Sequence, residues 1–252
     1  MVGVDEVYQK VLAIANKEQR GYITPQEFNL FAAQAQLEIF EQYFYDVNQF
    51  SRTPGNSHAY ADMLELLEQK INHFKVYDAS ITPPSNNGDI DYNNNEVYRL
   101  GEVKVRYSSQ GQTAKVTAEK IKVEEHQLYL DSPLAKDSIK RPIYFQRATG
   151  VGGEVRIRIY PKTTPSDTVL LTYVRKPKNP NWTYMVTTAN PGSPVALYDP
   201  TASDLQNFEI EASEKPELVN RILIYAGVTL QRQEISQVAA GVEGAKVKQE
   251  KQ

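Results

Sequence analysis

The residues that commonly carry catalysis are scattered along this chain of 252 residues. Its three histidines, His58, His73 and His126, do not form the paired spacing that binds zinc on a helix. No serine lies in a G-x-S-x-G sequence, the turn that presents the nucleophile of α/β-hydrolases. The chain has no cysteine, which excludes disulfides, thiolate metal sites and cysteine nucleophiles. The sequence therefore predicts that the protein is not an enzyme.

Three short segments share part of a ligand-binding motif but lack its essential residues. The glycines of 150–153 precede a predicted strand, whereas nucleotide-binding loops open a helix. Segment 89–96 is acidic like a calcium loop but lacks the glycine at the sixth position and the glutamate at the twelfth. The carboxylates at 62–65 and 124–125 are more simply explained as solvated faces. We therefore predict neither a metal nor a cofactor.

Basic and aromatic residues alternate in the second half of the chain. The candidate charged contact consists of Arg156, Arg158, Arg175, Lys176 and Lys178. Tyr160 and Tyr173 lie among them, and the single tryptophan, Trp182, follows. Basic and aromatic side chains together are typical of surfaces that bind single-stranded nucleic acid. A chain with a pI near 5.8 is not a strong general DNA binder, so contact between subunits is the preferred interpretation.

Charge is distributed unevenly along the chain. Residues 1–96 carry 6 basic and 14 acidic side chains, and residues 97–180 carry 16 basic and 8 acidic. Residues 181–252 carry 6 basic and 9 acidic, and the whole chain has a net charge of −3. Two alternative explanations fit this pattern. One is ordinary variation of surface charge, and the other is pairing between acidic and basic faces of neighbouring copies.

Helical periodicity marks both ends of the chain. Apolar residues at helical spacing predict helices over 4–19, 24–50, 59–73 and from 213 to about 230. Thr24 and Glu27 are spaced as a capping box, and Pro25 suits the first helical position. No run of about 18 apolar residues occurs, so no membrane span is predicted.

The predicted helix over 24–50 has apolar residues on two faces. One stripe contains Phe28, Phe31, Ala35, Ile39 and Tyr43, and the other contains Leu30, Leu37, Phe40, Phe44 and Val47. A helix on the surface of a small domain usually needs a single apolar stripe. A second layer of the chain or a neighbouring subunit must cover the other stripe. The candidate subunit interface is Phe28, Phe31, Leu37, Phe40 and Phe44.

Two-residue periodicity predicts strands in the middle of the chain. The predicted strands are 97–107, 127–131, 142–147, 154–160 and 168–175, with a tight hairpin at 150–153. Residues 114–125 fit a short helix or a strand. Residues 176–204 read as an ordered extended connection, and residues 205–211 are a further strand candidate.

These elements predict an α+β fold in which helices from both ends pack together around an inserted antiparallel β domain. The predicted parts are a helical part over 1–75, a β-rich domain over 76–204, and a returning strand and helix over 205–240. The polar segment 241–252 is predicted to dock on a partner through Lys246, Lys248 and Lys251.

Three blocks of the sequence resemble virion structural proteins of tailed phages, notably crAss-like and marine short-tailed phages. The blocks are VYQKVLAIANKEQRGYITPQEFNLFAAQAQLEIFEQYFYDVNQF, LLTYVRKPKNPNWTY and FEIEASEKPELVNRILIYAGVTLQ, which occur here in the same order. They cover about half of the chain. The region 76–140 matches only by its position.

The resemblance implies a head–tail adaptor, also called a connector, in the virion neck. Such proteins form a ring, usually of twelve copies, that lies beneath the portal protein and extends the DNA channel toward the tail. The implied partners are further copies of the chain, the portal and other neck or tail proteins. DNA would pass through without sequence-specific binding, and assembly would take place in the host cytoplasm. An acidic helical surface facing the channel is our own inference, because it would let DNA slide without adhering.

Two other functions fit parts of the sequence. The first is a peripheral virion module whose β domain recognises protein or carbohydrate through exposed tyrosines and Trp182. The second is a carboxylate-dependent hydrolase, which has the least support because no nucleophile, metal set or cofactor loop is present in the sequence.

Overall fold

A computed structural model describes residues 1–16, 23–52, 58–84, 89–92, 96–148, 155–187 and 195–229. The fold is α+β, as predicted, with N-terminal and C-terminal helices packed together and antiparallel sheets inserted between them. The chain divides into two compact units. Residues 1–71 and 177–252 form the helical unit, and residues 72–176 form the β unit.

Five α-helices are present in the described residues. They are α1 (Val4–Asn16), α2 (Pro25–Arg52), α3 (His58–Asn72), α4 (His126–Asp131) and α5 (Lys215–Thr229). The predicted helices over 24–50 and 59–73 are confirmed within two residues at each end. Helix α1 ends at residue 16 in the described part of the chain, and the last three residues predicted for it lie outside that part.

The start of α2 follows the predicted capping box. The Thr24 hydroxyl oxygen accepts a hydrogen bond from the Glu27 backbone N–H at 3.3 Å, and a Glu27 carboxylate oxygen accepts one from the Thr24 N–H at 3.0 Å. Pro25 occupies the first helical position, where its missing N–H has no cost. The Thr24 backbone N–H, followed by its hydroxyl, lowers the pKa of Glu27. These contacts fix where α2 begins.

The apolar faces of three helices build the core of the helical unit. Helix α1 buries Val4, Val7, Tyr8, Val11 and Ala15, whose spacing is that of one helical stripe. Helix α2 packs against α5, and α1 also contacts α5. Helix α5 buries Leu218, Val219, Ile222, Leu223 and Ala226. Gly227 lies within α5, which continues to Thr229.

Nine strands form three sheets in the described residues. The strands are β1 (Lys75–Ile81), β2 (Val97–Arg106), β3 (Val116–Thr117), β4 (Glu119–Lys120), β5 (Ile143–Ala148), β6 (Val155–Tyr160), β7 (Thr168–Arg175), β8 (Tyr184–Thr187) and β9 (Val195–Tyr198). The sheet orders are β1-β7-β2-β3, β4-β5-β6 and β8-β9. All pairs are antiparallel except the two-residue pair of β4 with β5.

The β unit has an apolar core built from both of its sheets. Val103, Val105, Val169 and Leu171 come from the four-stranded sheet, and Ile157 comes from the three-stranded sheet. All five side chains are fully buried. Alternation along the strands sends the other side chains to the outer faces, and on the three-stranded sheet Ile143 and Phe145 form a second apolar cluster there with Ile121.

Three sequence predictions about local structure differ from the structure. Residues 127–131, predicted as a strand, belong to helix α4. Strand β1 was not predicted, and residues 205–211 make only isolated bridges, at Gln206 and Phe208. The ambiguous segment 114–125 contains β3, β4 and a 3-10 turn.

The inserted unit also ends earlier than predicted. Residues 177–204 belong to the helical unit instead of the β domain, because they return to α1 and α2 through specific side-chain hydrogen bonds. The sheet β8-β9 is therefore part of the helical unit. The turn predicted at 150–153 lies outside the described residues, and β5 and β6 pair as neighbours on either side of it.

Candidate functional site

Two residues of the candidate subunit interface lie in the core of their own chain. Phe28 is fully buried and packs against Tyr8, with ring centroids 4.8 Å apart. Phe40 is also fully buried and meets the ring of Phe44 edge-on at 5.1 Å. Neither side chain is accessible to a second chain, so the prediction that these two residues form a subunit interface is wrong. Their own chain covers the stripe on which each of them lies.

The outer stripe of α2 remains partly uncovered. Leu30 is 71% exposed, while Leu37 and Phe44, one and two heptads further along, are half-buried. Residues seven apart lie on nearly the same side of a helix, so these three form one line. Tyr45, the residue after Phe44, is a further large exposed side chain of α2. Phe31 is half-buried and stacks on Tyr225 of α5 at 6.3 Å, which places it between the two stripes.

The hairpin of β8 and β9 is a second apolar surface of the helical unit. Met185 and Leu197 are directly opposite each other in the register, and both are exposed. Val186, on the other face of the hairpin, is 59% exposed. No charged side chain occurs between Lys178 and Asp199, so this apolar surface has no charged border of its own. An isolated two-stranded hairpin is only marginally stable in water.

The base of the hairpin is firmly attached to α1 and α2. The indole N–H of Trp182 donates to the Asp5 carboxylate at 2.9 Å. The Asn29 side chain accepts a hydrogen bond from the Trp182 backbone N–H at 2.8 Å and donates to the Trp182 carbonyl at 3.2 Å. Tyr184 and Tyr198, a cross-strand pair, both stack on Trp182 at 5.8 Å. The exposed apolar part of the hairpin thus projects from a fixed anchor next to Leu30.

The charged candidates on the β unit centre on β6. Arg156 and Arg158 share one face of β6, and Arg147 of β5 lies opposite Arg156 in the register. Asp89 accepts hydrogen bonds from Nε and Nη2 of Arg147 at 2.9 and 2.6 Å and from Nε of Arg158 at 2.8 Å. Asp91 lies 3.6 Å from Arg156. We call Arg147, Arg156 and Arg158 the arginine face.

Arg147 was missed in the sequence, although a signal for it exists. A hairpin turn centred on 150–153 pairs residue 147 with residue 156, as the structure shows. Alternation along both strands then places all three arginines on one face. Neither aspartate has a sequence signal for this role, because both lie in a segment without periodicity.

The other charged candidates do not join the arginine face. Arg175 ends β7 in the other sheet of the β unit, and its guanidinium lies 5.7 Å from the centre of the Phe74 ring. Lys176 is exposed beside it, whereas Lys178 belongs to the helical unit. The backbone of Lys178 is held by Gln36 and Glu209. Lys246, Lys248 and Lys251 lie outside the described residues.

Neither a metal centre nor a membrane span emerges from the described ranges. Within them, no group of three or more metal-binding side chains is arranged to hold an ion. No helix in that part of the chain has both the length and the apolar character to cross a membrane.

No family model matches this sequence, and no curated protein shows significant similarity to it.

Proposed function

We propose that this chain is a structural subunit of a phage virion neck, not an enzyme. It serves as a head–tail adaptor, one copy of a ring that joins the portal to the tail and extends the DNA channel. The resemblance of its three sequence blocks to tailed-phage virion proteins supports this function. The α+β fold, in which a helical core carries an inserted β unit, agrees with what the resemblance implies.

The observation that carries the proposal is the apolar surface of the helical unit. Leu30 and Tyr45 on α2, Leu66 on α3 and Met185 with Leu197 on the hairpin are all exposed. Single exposed apolar residues are ordinary, but an uncovered helix stripe beside an uncharged hairpin is typical of a surface that a partner covers. A ring subunit needs two such surfaces, one for each neighbour.

The mass of the purified chain in solution tests the function. It is measured by native mass spectrometry, alone and mixed with the portal protein encoded in the same genome. We expect a closed ring in at least one of the two conditions. A chain that stays monomeric and does not associate with the portal contradicts the adaptor function and favours a peripheral binding module.

The variant Leu30→Asp tests the apolar surface directly. Because Leu30 is mostly exposed, the variant should fold normally while burial of a new charge against a neighbour weakens assembly. Gln9→Asp on the exposed side of α1 makes a comparable change in charge and serves as the control. Thermal unfolding checks that both variants are folded. Normal ring formation by Leu30→Asp would show that this stripe is not an interface.

A further inference from the structure

The two units carry opposite net charge. The β unit has 16 basic and 12 acidic side chains, a balance of +4. The helical unit has 12 basic and 19 acidic side chains, a balance of −7. Opposite charges on two units of one chain favour contact between the β unit of one copy and the helical unit of another.

The arrangement of the arginine face does not stabilise the sheet that carries it. Arg147 and Arg156 are directly opposite, and like charges at such positions destabilise a sheet. Asp89, whose side chain is 6% exposed, lies beneath the guanidinium groups and fixes two of them. The side chains of Arg147, Arg156 and Arg158 are 41%, 35% and 27% exposed, so a partner can reach all three. The guanidinium groups are thus held outward in defined positions, which lowers the entropy lost when an anion binds.

The aromatic rings beside the arginine face are packed against other side chains. Phe145, which shares this face, is buried, and His126 of α4 packs on both Phe145 and Tyr160 at 5.3 and 4.3 Å. Binding of single-stranded nucleic acid relies on aromatic rings that are open for base stacking. Because these rings are covered, carboxylates of a protein partner fit the arginine face better than a nucleic acid does.

Helix α3 of the helical unit presents a matching acidic edge. Glu65 and Glu68, three residues apart on one side of the helix, are exposed, and Leu66 between them is exposed as well. Neither glutamate has an ion-pair partner in the described part of the chain. Lys70, the nearest cation along α3, is already paired with Glu214. The edge therefore offers two free carboxylates beside an apolar contact.

We propose that the arginine face of one copy binds the acidic edge of α3, residues 65–68, on the next copy. This inference rests on the proposed ring function and names a subunit contact within it. Two different surfaces of the same chain meet in such a contact. A contact of this kind repeats around a ring when its rotation closes, whereas a two-fold dimer would need one self-complementary surface.

Cross-linking tests the contact because the natural chain has no cysteine to give a background. Arg156→Cys and Glu68→Cys are purified separately, mixed, and treated with a short bis-maleimide. We expect a covalent dimer in the mixture and much less in either variant alone. Lys140→Cys, on an exposed turn of the β unit, replaces Arg156→Cys in the control mixture. Equal cross-linking in the control, or none in either mixture, overturns the proposal.

Charge reversal separates this contact from the ring function as a whole. Arg156→Glu and Glu68→Arg should each weaken assembly about tenfold or more, and the double variant should restore most of it. Lys140→Glu, with the same change in charge, should assemble like the natural chain. If the natural ring forms and Arg156→Glu leaves it unchanged, the proposed contact is wrong while the adaptor function stands.

If the arginine face binds nucleic acid instead, the same charge-reversal variants give a different result. Arg156→Glu then lowers the affinity for a fluorescent single-stranded oligonucleotide, measured by anisotropy. Glu68→Arg then fails to restore assembly of the double variant. This pair of results overturns the subunit contact and assigns the arginine face to phosphate groups instead.

Discussion

In the helical unit, hydrogen bonds from buried side chains join segments that are far apart in sequence. In the β unit, such segments are joined mainly by backbone hydrogen bonds between paired strands. Gln36 of α2 is 1% exposed; its amide donates to the Lys178 carbonyl at 2.7 Å and accepts from the Glu209 N–H at 2.9 Å. Glu209 in turn accepts from the Lys178 N–H at 2.9 Å. In the β unit, β7 pairs with both β1 and β2 along most of its length.

The difference follows from how the chain enters each unit. The helical unit is assembled from two separate pieces of the chain, which only the isolated bridge between Val2 and Phe208 joins through backbone pairing in the described residues. The backbone groups of Lys178 and Trp182 find partners in side chains of α2 instead. The β unit is one continuous piece, and its strands satisfy one another. The helical unit should therefore be sensitive to the loss of single polar side chains, and the β unit to the loss of core volume.

Leu171→Ala should have the largest effect on this comparison. Leu171 is fully buried in the β core, and removing its branched side chain there should lower the free energy of unfolding by about 3 kcal/mol. Urea unfolding is followed by two probes. Far-ultraviolet circular dichroism reports on both units, and fluorescence of Trp182, the single tryptophan, reports on the helical unit. We expect the loss mainly in the circular dichroism transition.

Leu134→Ala is the matched control, because Leu134 belongs to the same unit and is almost fully exposed. It should leave both transitions within experimental error of those of the natural chain. A shift of equal size in both probes for Leu171→Ala would show that the two units unfold as one. The two units would then differ in how their segments are hydrogen-bonded but not in their stability.

Gln36→Leu should lower the free energy of unfolding by less than Leu171→Ala does. It should shift mainly the fluorescence transition instead of the circular dichroism transition. The change removes the side-chain partner of the part-buried Lys178 carbonyl and of the buried Glu209 N–H, which should cost about 2 kcal/mol. We expect the midpoint of the Trp182 fluorescence transition to fall, because Trp182 lies in the segment that these bonds hold. Gln34→Leu, two residues away on the exposed side of α2, should change it little. Equal shifts for the two variants would remove the special role of the buried amide.

Local signals in the sequence predicted much of the fold. The capping box at Thr24 and Glu27 and the alternation in β6 and β7 depend on neighbouring residues, so they were readable without a structure. The error at 127–131 arose because Leu128 and Leu130 alternate like a strand. The structure instead uses helical spacing, which packs His126 on the ring of Tyr160 and Tyr129 against the cluster that contains Phe145.

The long-range contacts were not predictable in this way. Strand β1 is interrupted at Asp78, whose φ of 50° coincides with a shift in register, and this break hides the alternation. The partners of Gln36 lie 142 and 173 residues away, and a single glutamine in a helix gives no indication of them. The candidate interface therefore included Phe28 and Phe40, because periodicity shows that a face is apolar but not what covers it.

Tyr225→Phe should give the smallest effect and sharpens the comparison through pH. The Tyr225 hydroxyl donates to Glu38 of α2, and burial, reinforced by that carboxylate, raises the pKa of Tyr225 to about 12. An unfolded tyrosine titrates near pH 10, so the folded state favours the neutral phenol. The contribution of the neutral Tyr225 phenol to the free energy of unfolding is present in full below about pH 10 and is lost as the pH rises toward about 12.

Near neutral pH, Tyr225→Phe should lower the free energy of unfolding by about 1 kcal/mol. Measured by Trp182 fluorescence, this difference should shrink above about pH 10, because only the natural chain has this phenol to ionise. Tyr45→Phe, at an exposed position of α2, controls for loss of a phenol as such. A difference that stays constant as the pH rises would mean that the hydroxyl of Tyr225 does not join α5 to α2, and would leave that junction to apolar packing.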